Sequence, residues 1–276
     1  MPELPEVETI KKQLGKKLKG KKIKNIKILS AKIIKAPLNN FRRAVLNAKI
    51  KDIRRRAKLL IISLSNGYSL LIHLKMTGQL IYSDSKIRNN KLEKHARLIF
   101  YFAGQSRLIY NDLRKFGYIK LIKTEKITEL LDKEYGPEPL GKNFTFSALK
   151  NLLLKKPRTR IKQFLMDQKN ISGIGNIYAD EILYSAEVLP TRKISTLKEN
   201  ETKKIYHGIK SILTDAIKLR GSSVNNYLDS YGRAGEFHLK LKAYSRAGQP
   251  CLKCKTKIQK IKLNGRGTHF CPKCQK

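Results

Sequence analysis

Acidic residues are scarce in this chain. Of 276 residues only 21 are Asp or Glu, against 60 Lys or Arg, which leaves a formal net charge of +39. A surplus of that size repels itself unless the usual partner is a polyanion, and nucleic acid is the leading candidate. Thr9 to Lys51 holds 15 basic residues and no acidic one, and no acid follows Glu236. One basic run alone is ordinarily a solvated face, whereas two separated runs strengthen the polyanion reading. Long apolar runs are missing too: none approaches the roughly 18 residues a membrane-spanning helix needs. The acidic opening Met1 to Glu8 lacks the basic and apolar regions of a signal peptide. A cytoplasmic location without a membrane partner is expected. Cysteine is absent before Cys251, so a disulfide framework spread over the chain is excluded. No internal repeat is visible.

Enough remains for buried cores, with hydrophobic residues at 41%, and a typical domain of roughly 150 residues sets a prior of about two domains. From about residue 23 to residue 122 the sequence reads as short β-branched and aromatic segments: Leu59 to Leu64, Leu70 to Leu74, Leu98 to Tyr101, Leu108 to Tyr110 and Tyr118 to Ile122. Asn66-Gly67 marks a hairpin. This spacing suits a β-sandwich or barrel better than alternating βαβ units. After Tyr135-Gly136-Pro137-Glu138-Pro139-Leu140 the period becomes helical, over Ser147 to Leu154, Arg160 to Asp167, Asn176 to Glu187 and Thr196 to Leu219. Thr196 and Glu199 have capping-box spacing at the start of the last helix. The fold class expected is α+β and multidomain, with a mainly β first half, a mainly helical second half and a small cysteine module at the end.

Cys251-x2-Cys254 and Cys271-x2-Cys274 are separated by 16 residues, the spacing of a zinc ribbon. Four thiolates complete a tetrahedron and leave no position for an activated water, so one structural Zn2+ is expected and a zinc hydrolase is disfavoured. Between the pairs, Ile258 to Leu263 runs into Asn264-Gly265, a strong two-residue hairpin signal, and then into Arg266-Gly267-Thr268-His269-Phe270. Arg266 is thereby placed near the hairpin tip, where its planar fork could reach a phosphate; a solvated Arg at a turn is the ordinary alternative.

Met1-Pro2-Glu3-Leu4-Pro5-Glu6-Val7-Glu8 places three glutamates at the head of a very basic chain. Proline near a helix start and acids in its first turn favour the helix N-terminus, which is one sufficient reason for the pattern. The other is chemical. Removal of Met1 would expose Pro2 as a secondary amine able to attack a sugar C1′ and form an iminium ion. An α-amino group has a pKa near about 8, and desolvation lowers it further. Glu3, next in the chain, could move protons to and from the ring oxygen or the departing base.

These residues resemble the formamidopyrimidine-DNA glycosylases of bacteria: the PELPEVE start, the GPEPL linker, Ile171-Ser172-Gly173-Ile174-Gly175-Asn176-Ile177-Tyr178-Ala179-Asp180-Glu181, and the zinc ribbon with GRGTHF. The resemblance runs from end to end. It implies an N-terminal β-sandwich with an N-terminal helix (1–134), a helix-two-turn-helix domain (135–235) and a zinc-ribbon finger (236–276). The activity implied is removal of oxidised purines, such as 8-oxoguanine and formamidopyrimidines, from damaged double-stranded DNA, followed by strand cutting through β- and δ-elimination. The protein is expected to act as a monomer.

By the same resemblance Pro2 is the Schiff-base nucleophile and Glu3 the proton donor. Lys58 serves β-elimination and phosphate contact, and Arg266 serves δ-elimination and phosphate contact, the latter being physically firmer because an Arg with a pKa above about 12 is a poor acid. A base inside a duplex must be extruded and the space refilled. Met76, Arg114 and Phe116 resemble the family's intercalating trio, although core packing is the ordinary alternative for Met76 and Phe116. His73, His95, Arg158, Lys162 and Asn176 match phosphate-holding positions, and Gly221 to Tyr227 resembles the lesion-reading loop. Two alternatives stay open: an endonuclease VIII-like glycosylase for oxidised pyrimidines, and a noncatalytic zinc-ribbon DNA-binding protein.

Overall fold

Two separate apolar sets, one on strands and one on helices, call for two cores. The computed structural model, which describes residues 1–84 and 94–276, has two units. Met1–Lys133 and Leu219–Glu236 form the first, Glu134–Lys218 and Phe237–Lys276 the second.

The first unit begins with α1 (Leu4–Leu18), whose Leu4, Val7, Ile10, Leu14 and Leu18 recur at helical spacing and are all buried. Strands β1 (Ile23–Ile28), β2 (Ile34–Lys35), β3 (Ile50–Arg56), β4 (Leu59–Leu64), β5 (Tyr68–His73), β6 (Gly78–Ser83), β7 (Ala96–Phe102), β8 (Arg107–Asp112) and β9 (Tyr118–Lys123) follow, with α2 (Leu38–Val45) between β2 and β3. They form one sheet of order β2-β9-β5-β4-β3 and another of order β1-β7-β8-β6. Leu60, Ile62, Leu70 and Ile72 of the first sheet, Leu80, Leu98, Phe100 and Tyr110 of the second, and the apolar stripe of α1 share one core. This is the expected β-sandwich. The β4–β5 hairpin turns through Ser65, Asn66 and Gly67, with Gly67 at φ 80°, the left-handed position that a three-residue loop needs.

Strands β1, β3 and β6 and helix α2 lie in stretches the sequence reading did not resolve. The reason for β1 and β3 is physical. Register shifts lie between Ile23 and Asn25 and between Ile50 and Asp52, so the buried pairs Ile23/Ile26 and Ile50/Ile53 are three residues apart. A bulge breaks the two-residue alternation by which a half-buried strand is recognised.

The second unit carries α4 (Phe146–Leu154), α5 (Ile161–Met166), α6 (Asn176–Ala186) and α7 (Glu199–Lys218), after α3 (Ile127–Glu134) at the junction of the units. Helix α7 starts later than its capping pattern suggested. Ile194–Thr196 is a 3-10 turn, and the residue before the helix is Lys198, whose N–H donates to Glu201 Oε2 at 2.7 Å. Glu201 thus supplies the carboxylate half of the cap. The chain ends in the hairpin β10 (Gln259–Leu263) and β11 (Arg266–Phe270), joined by Asn264 and Gly265 at φ 48° and 73° as the two-residue signal required. Among the described residues no helix is long and apolar enough to cross a membrane.

Helix α6 organises this unit through two adjacent buried acids. Glu181 accepts N–H bonds from Lys242, Ala243 and Tyr244 at 2.9, 2.8 and 2.8 Å. Burial pushes its carboxyl above the ordinary range, while the three donors oppose that shift. Glu181→Ala would leave three N–H donors without their acceptor, the one of Ala243 buried, and is expected to destabilise the protein by about 1–3 kcal/mol, read as a lower urea midpoint. An unchanged midpoint would show that the segment 242–244 does not depend on that carboxylate.

Candidate active site

The acidic N-terminus is buried. Pro2 is buried, and Glu3 and Glu6 are 2% and 1% exposed. Glu6 Oε2 accepts the Glu3 N–H at 2.7 Å, closing the capping box that starts α1. Its other oxygen, Oε1, accepts the Ser222 N–H at 2.7 Å, and the Tyr227 hydroxyl donates to the Glu6 carbonyl at 3.4 Å. A Cβ on Gly221, at φ +80°, would lie 2.7 Å from Glu6 Oε1, so only glycine fits. One carboxylate therefore ties the loop Gly221 to Tyr227 to the backbone of Glu3. Burial raises the Tyr227 phenol well above its usual value and keeps it a donor.

Lys58 and His73 are brought together by register. Glu8 Oε2 accepts from Arg55 Nε at 2.8 Å, and Arg55 Nη1 donates to the Ala57 carbonyl at 2.9 Å, which ties α1 to the turn that contains Lys58. Leu59 pairs with His73, and His73 with Tyr118, so Lys58 and His73 share one end of the sheet, both buried. Desolvation first, then the charges of Lys75 and Lys58, push the His73 imidazole down to about 3. Its Nδ1 accepts the Lys75 N–H at 3.0 Å, so the proton of the neutral ring sits on Nε2. A neutral ring with its proton on Nε2 can donate one hydrogen bond and gains no charge over the physiological range.

The three expected wedge residues lie on two turns of the same unit. Gly78 N–H donates to Leu74 O at 2.9 Å and closes the turn bearing Met76, which is 40% exposed. A Cβ on Gly78 would meet that same carbonyl at 2.5 Å. Phe116 is 55% exposed, with the Arg114 guanidinium 4.6 Å from its ring centroid. Core packing is excluded for both apolar members. The fully buried Asp112 clamps the two turns: Oδ1 accepts from Thr77 Oγ1 at 2.5 Å and Oδ2 from the Gly117 N–H at 2.8 Å, while Thr77 Oγ1 accepts the Arg114 N–H at 3.0 Å. Beside them a cavity of ≈380 Å³ is lined by Thr77, Gln79, His95, Asn111, Asn225 and Asn226, with Leu113 and Leu228. Its size suits a small organic group.

In the second unit Arg266 is exposed at the start of β11, and Arg158 is exposed in the turn before α5. Asn176, the first residue of α6, donates from Nδ2 to the Gly267 carbonyl at 3.0 Å. Lys162 is occupied elsewhere than the sequence reading placed it. It is 1% exposed, its Nζ lies 2.6 Å from Asp180 Oδ1, and it donates to Thr268 Oγ1 and Gly267 O at 2.8 and 3.3 Å. Asp180 Oδ2 accepts from the His269 N–H at 2.8 Å. Lys162, Asn176 and Asp180 therefore hold the hairpin strand that carries Arg266. The signal for this was present as the acid pair Asp180-Glu181, whose period faces the buried side of α6.

The four cysteine sulfurs lie within 4.8 Å of one another, with Cys251–Cys274 at 3.9 Å and Cys254–Cys271 at 3.4 Å. A zinc tetrahedron with Zn–S bonds of about 2.3 Å has edges of about 3.8 Å, so these residues fit one structural zinc. The Tyr184 hydroxyl is 3.1 Å from Cys251 Sγ, and Gln275 accepts the Cys271 N–H at 2.8 Å while donating to Val188 O at 2.8 Å. These contacts fix the ligands' orientation. Glu6, Thr77, Asp112 and the acids of α6 are functional supports that the sequence reading did not single out.

Comparison with known proteins agrees with this geometry along the whole chain. Residues 1–119 match the formamidopyrimidine-DNA glycosylase N-terminal domain, residues 135–227 the H2TH domain of the same enzymes, and residues 248–276 a zinc finger found in FPG and IleRS. A formamidopyrimidine-DNA glycosylase of Listeria monocytogenes is 41% identical, covering 100% of both chains, and one of Pelotomaculum thermopropionicum is 41% identical over 100% of this chain and 99% of its own. Among solved structures, the Lactococcus lactis Fpg in complex with DNA containing an abasic site matches with a TM-score of 0.91 at 36% identity, covering 99% of both chains. The wild-type Lactococcus lactis Fpg bound to DNA containing N7-benzyl-Fapy-dG matches with 0.91 and 36% over 100% of both. The chain belongs to the formamidopyrimidine-DNA glycosylase family.

The His73 environment has a measurable consequence. Its folded value of about 3 lies below the unfolded value of about 6.5, so the native state favours the neutral ring. Stability from this group is complete above the unfolded value and is lost as pH falls from about 6.5 towards about 3. NMR of the ring should show no titration of His73 between pH 8 and pH 5, where an ordinary histidine titrates with a midpoint of about 6.5. A midpoint above 6 would contradict the buried neutral donor. Cys251→Ala should remove the zinc and weaken DNA binding while leaving the N-terminal amine chemically intact; unchanged metal content and binding would overturn the ligand assignment.

Proposed function

We propose that this protein is a base-excision repair enzyme that removes oxidised purines, 8-oxoguanine and formamidopyrimidines, from damaged duplex DNA and then cuts the strand as an AP lyase. The observation that carries the reading is the buried Pro2-Glu3 start of α1, tied through Glu6 to the loop Gly221 to Tyr227, in a chain aligned from end to end with glycosylases. Lesion-bearing DNA is bound by the related Lactococcus lactis Fpg. Action in a bacterial cytoplasm, on the nucleoid, follows from that substrate.

In this reading Met1 is removed and the unprotonated Pro2 nitrogen attacks C1′ of an extruded nucleotide. The C1′–base bond breaks, and its electron pair leaves with the base, which takes up the proton that the Pro2 nitrogen sheds on bonding and so restores that nitrogen's lone pair. Glu3 supplies a proton to the ring oxygen as the C1′–O4′ bond opens, and the nitrogen lone pair completes the iminium ion. Loss of a C2′ proton then expels the 3′ phosphate in β-elimination, with Lys58 beside it. Loss of a further sugar proton along the conjugated chain expels the 5′ phosphate in δ-elimination, and water releases Pro2. Met76, Arg114 and Phe116 fill the vacated stack, the guanidinium bonding the orphaned base. His73, His95, Arg158 and Arg266 hold phosphates. Lys162 and Asn176 act on phosphate binding through the hairpin that they position. The zinc supplies rigidity to that hairpin and takes no part in the chemistry.

A second reading has one observation behind it: a Lactococcus lactis Fpg was also solved with DNA containing an oxidised pyrimidine, TM-score 0.90. Single-turnover excision from 8-oxoguanine and from thymine glycol duplexes separates the two. The purine reading expects the faster rate on 8-oxoguanine, and a faster rate on thymine glycol would assign the protein to pyrimidine lesions. A protein with its N-terminal amine blocked should lose borohydride trapping on abasic DNA; undiminished trapping would remove Pro2 from the scheme. Affinity for duplex should fall with salt, by a factor of about 40 between 50 and 200 mM for the three cationic phosphate contacts of Lys58, Arg158 and Arg266. A flat response would contradict the phosphate clamp.

A further inference from the structure

The strands of the first unit run between two ends, and the chemistry proposed above occupies one of them. Lys58, His73 and Tyr118 lie at that end of the β2-β9-β5-β4-β3 sheet. From His73 back to Tyr68, strand β5 spans five steps, about 17 Å at about 3.4 Å per residue. The far end is also cationic, and hydrogen bonds join the segments that carry its basic residues. Lys22 and Lys49 face each other across an isolated antiparallel bridge. Lys49 exchanges two hydrogen bonds with Ser65, its N–H reaching Ser65 Oγ at 3.0 Å and its carbonyl accepting the Ser65 N–H at 2.9 Å. Next to Ser65, the Asn66 amide donates to Ala44 O of α2 at 2.8 Å, and Gly67 O accepts the Thr124 N–H at 2.8 Å.

These bonds bring α2, the β4–β5 turn and the end of β9 around an open cleft of ≈710 Å³, lined by Asn40, Arg43, Asn66, Tyr68, Lys123 and Lys126 among others. Arg43, Lys123 and Lys126 are exposed. Arg43 donates to Asn40 Oδ1 at 2.7 Å, which fixes its fork at the rim. Acids bonded near this end among the described residues include Asp52, 3.6 Å from Arg54, and Glu125, 3.9 Å from Lys123. Exposed pairs of that kind neutralise little. Here too is where the acid-free run Thr9 to Lys51 delivers Lys22, Arg43 and Lys49. A solubilising surface would scatter its cations; Arg43, Lys123 and Lys126 line one cleft together with the amides of Asn40 and Asn66 and the Tyr68 phenol, the donor set that meets phosphate and sugar oxygens.

We propose that this far end is a second binding surface for duplex DNA, which lets one molecule hold a new segment before it leaves the old one. The inference goes beyond base excision and stands apart from it, because transfer between undamaged duplexes requires no chemistry. The full-length protein, bound to a fluorescein-labelled undamaged duplex, is challenged with rising concentrations of unlabelled duplex. Release should accelerate with competitor concentration. In the variant Arg43→Gln/Lys123→Gln/Lys126→Gln that acceleration should fall roughly tenfold, as expected for losing three phosphate contacts. The release rate extrapolated to zero competitor and single-turnover excision should both stay unchanged. The charge-keeping variant Arg43→Lys/Lys123→Arg/Lys126→Arg should behave as the wild type. Release independent of competitor in the wild type, or equal acceleration in the wild type and the neutralised variant, would overturn the proposal. Poly-aspartate accelerating release as well as duplex does at equal charge would overturn the assignment to DNA in favour of an acidic polypeptide.

Discussion

A carboxylate withdrawn from water must be met by donors, and in this protein the donors that Glu6 finds decide where the Pro2-Glu3 start of the chain lies. Glu6 is 1% exposed, and its two oxygens take the N–H groups of Glu3 and Ser222. Remove that carboxylate and two buried donors lose their partner, at about 1–3 kcal/mol each. The same interaction that starts α1 therefore fixes Pro2 and Glu3 and seats the loop Gly221 to Tyr227. Helix capping and the seating of that loop are one act here, performed by a single acid at the head of a chain of charge +39.

The second unit repeats this logic with another pair of acids. Asp180 and Glu181 are adjacent on α6, yet one meets a side-chain ammonium and a β-strand N–H while the other meets three loop N–H groups. A buried Lys162–Asp180 pair adds little net stability, since desolvation offsets attraction, but leaving either partner alone costs about 3–5 kcal/mol. Its value lies in geometry. It holds Gly267 and Thr268, next to the exposed Arg266, while the four cysteines close the other end of the hairpin module around a zinc. Rigid support behind an exposed guanidinium is what phosphate positioning asks for.

Much of this was legible in the sequence, and the exceptions share a cause. The zinc module was readable because ligand spacing and the Asn264-Gly265 turn are local signals, and the structure has both. Strands β4, β5, β7, β8 and β9 were readable from their apolar β-branched runs. Strands β1 and β3 were not, because bulges spread their buried isoleucines three residues apart. The return of residues 219–236 to the first unit rests on bonds such as Gln13 to Asp229, which join positions too distant in sequence for any local pattern to announce. Among candidate site residues, exposure runs against residue type. Met76 and Phe116 carry apolar side chains that ordinarily pack inside, and they stand out; Lys162 carries a charge that ordinarily stands out, and it is buried. Asp112 gave no signal of its own, since its clamp on Thr77 and Gly117 exists only once both turns have formed.

The central claim is that the nitrogen of Pro2 bonds to the sugar. Reduction of the reaction on an 8-oxoguanine duplex with borohydride, followed by digestion and tandem mass spectrometry, locates the adduct atom by atom. The account predicts a reduced deoxyribose remnant on the N-terminal nitrogen of a peptide that begins at Pro2. An adduct on the ε-amine of Lys58, or on a peptide that still begins with Met1, would contradict it.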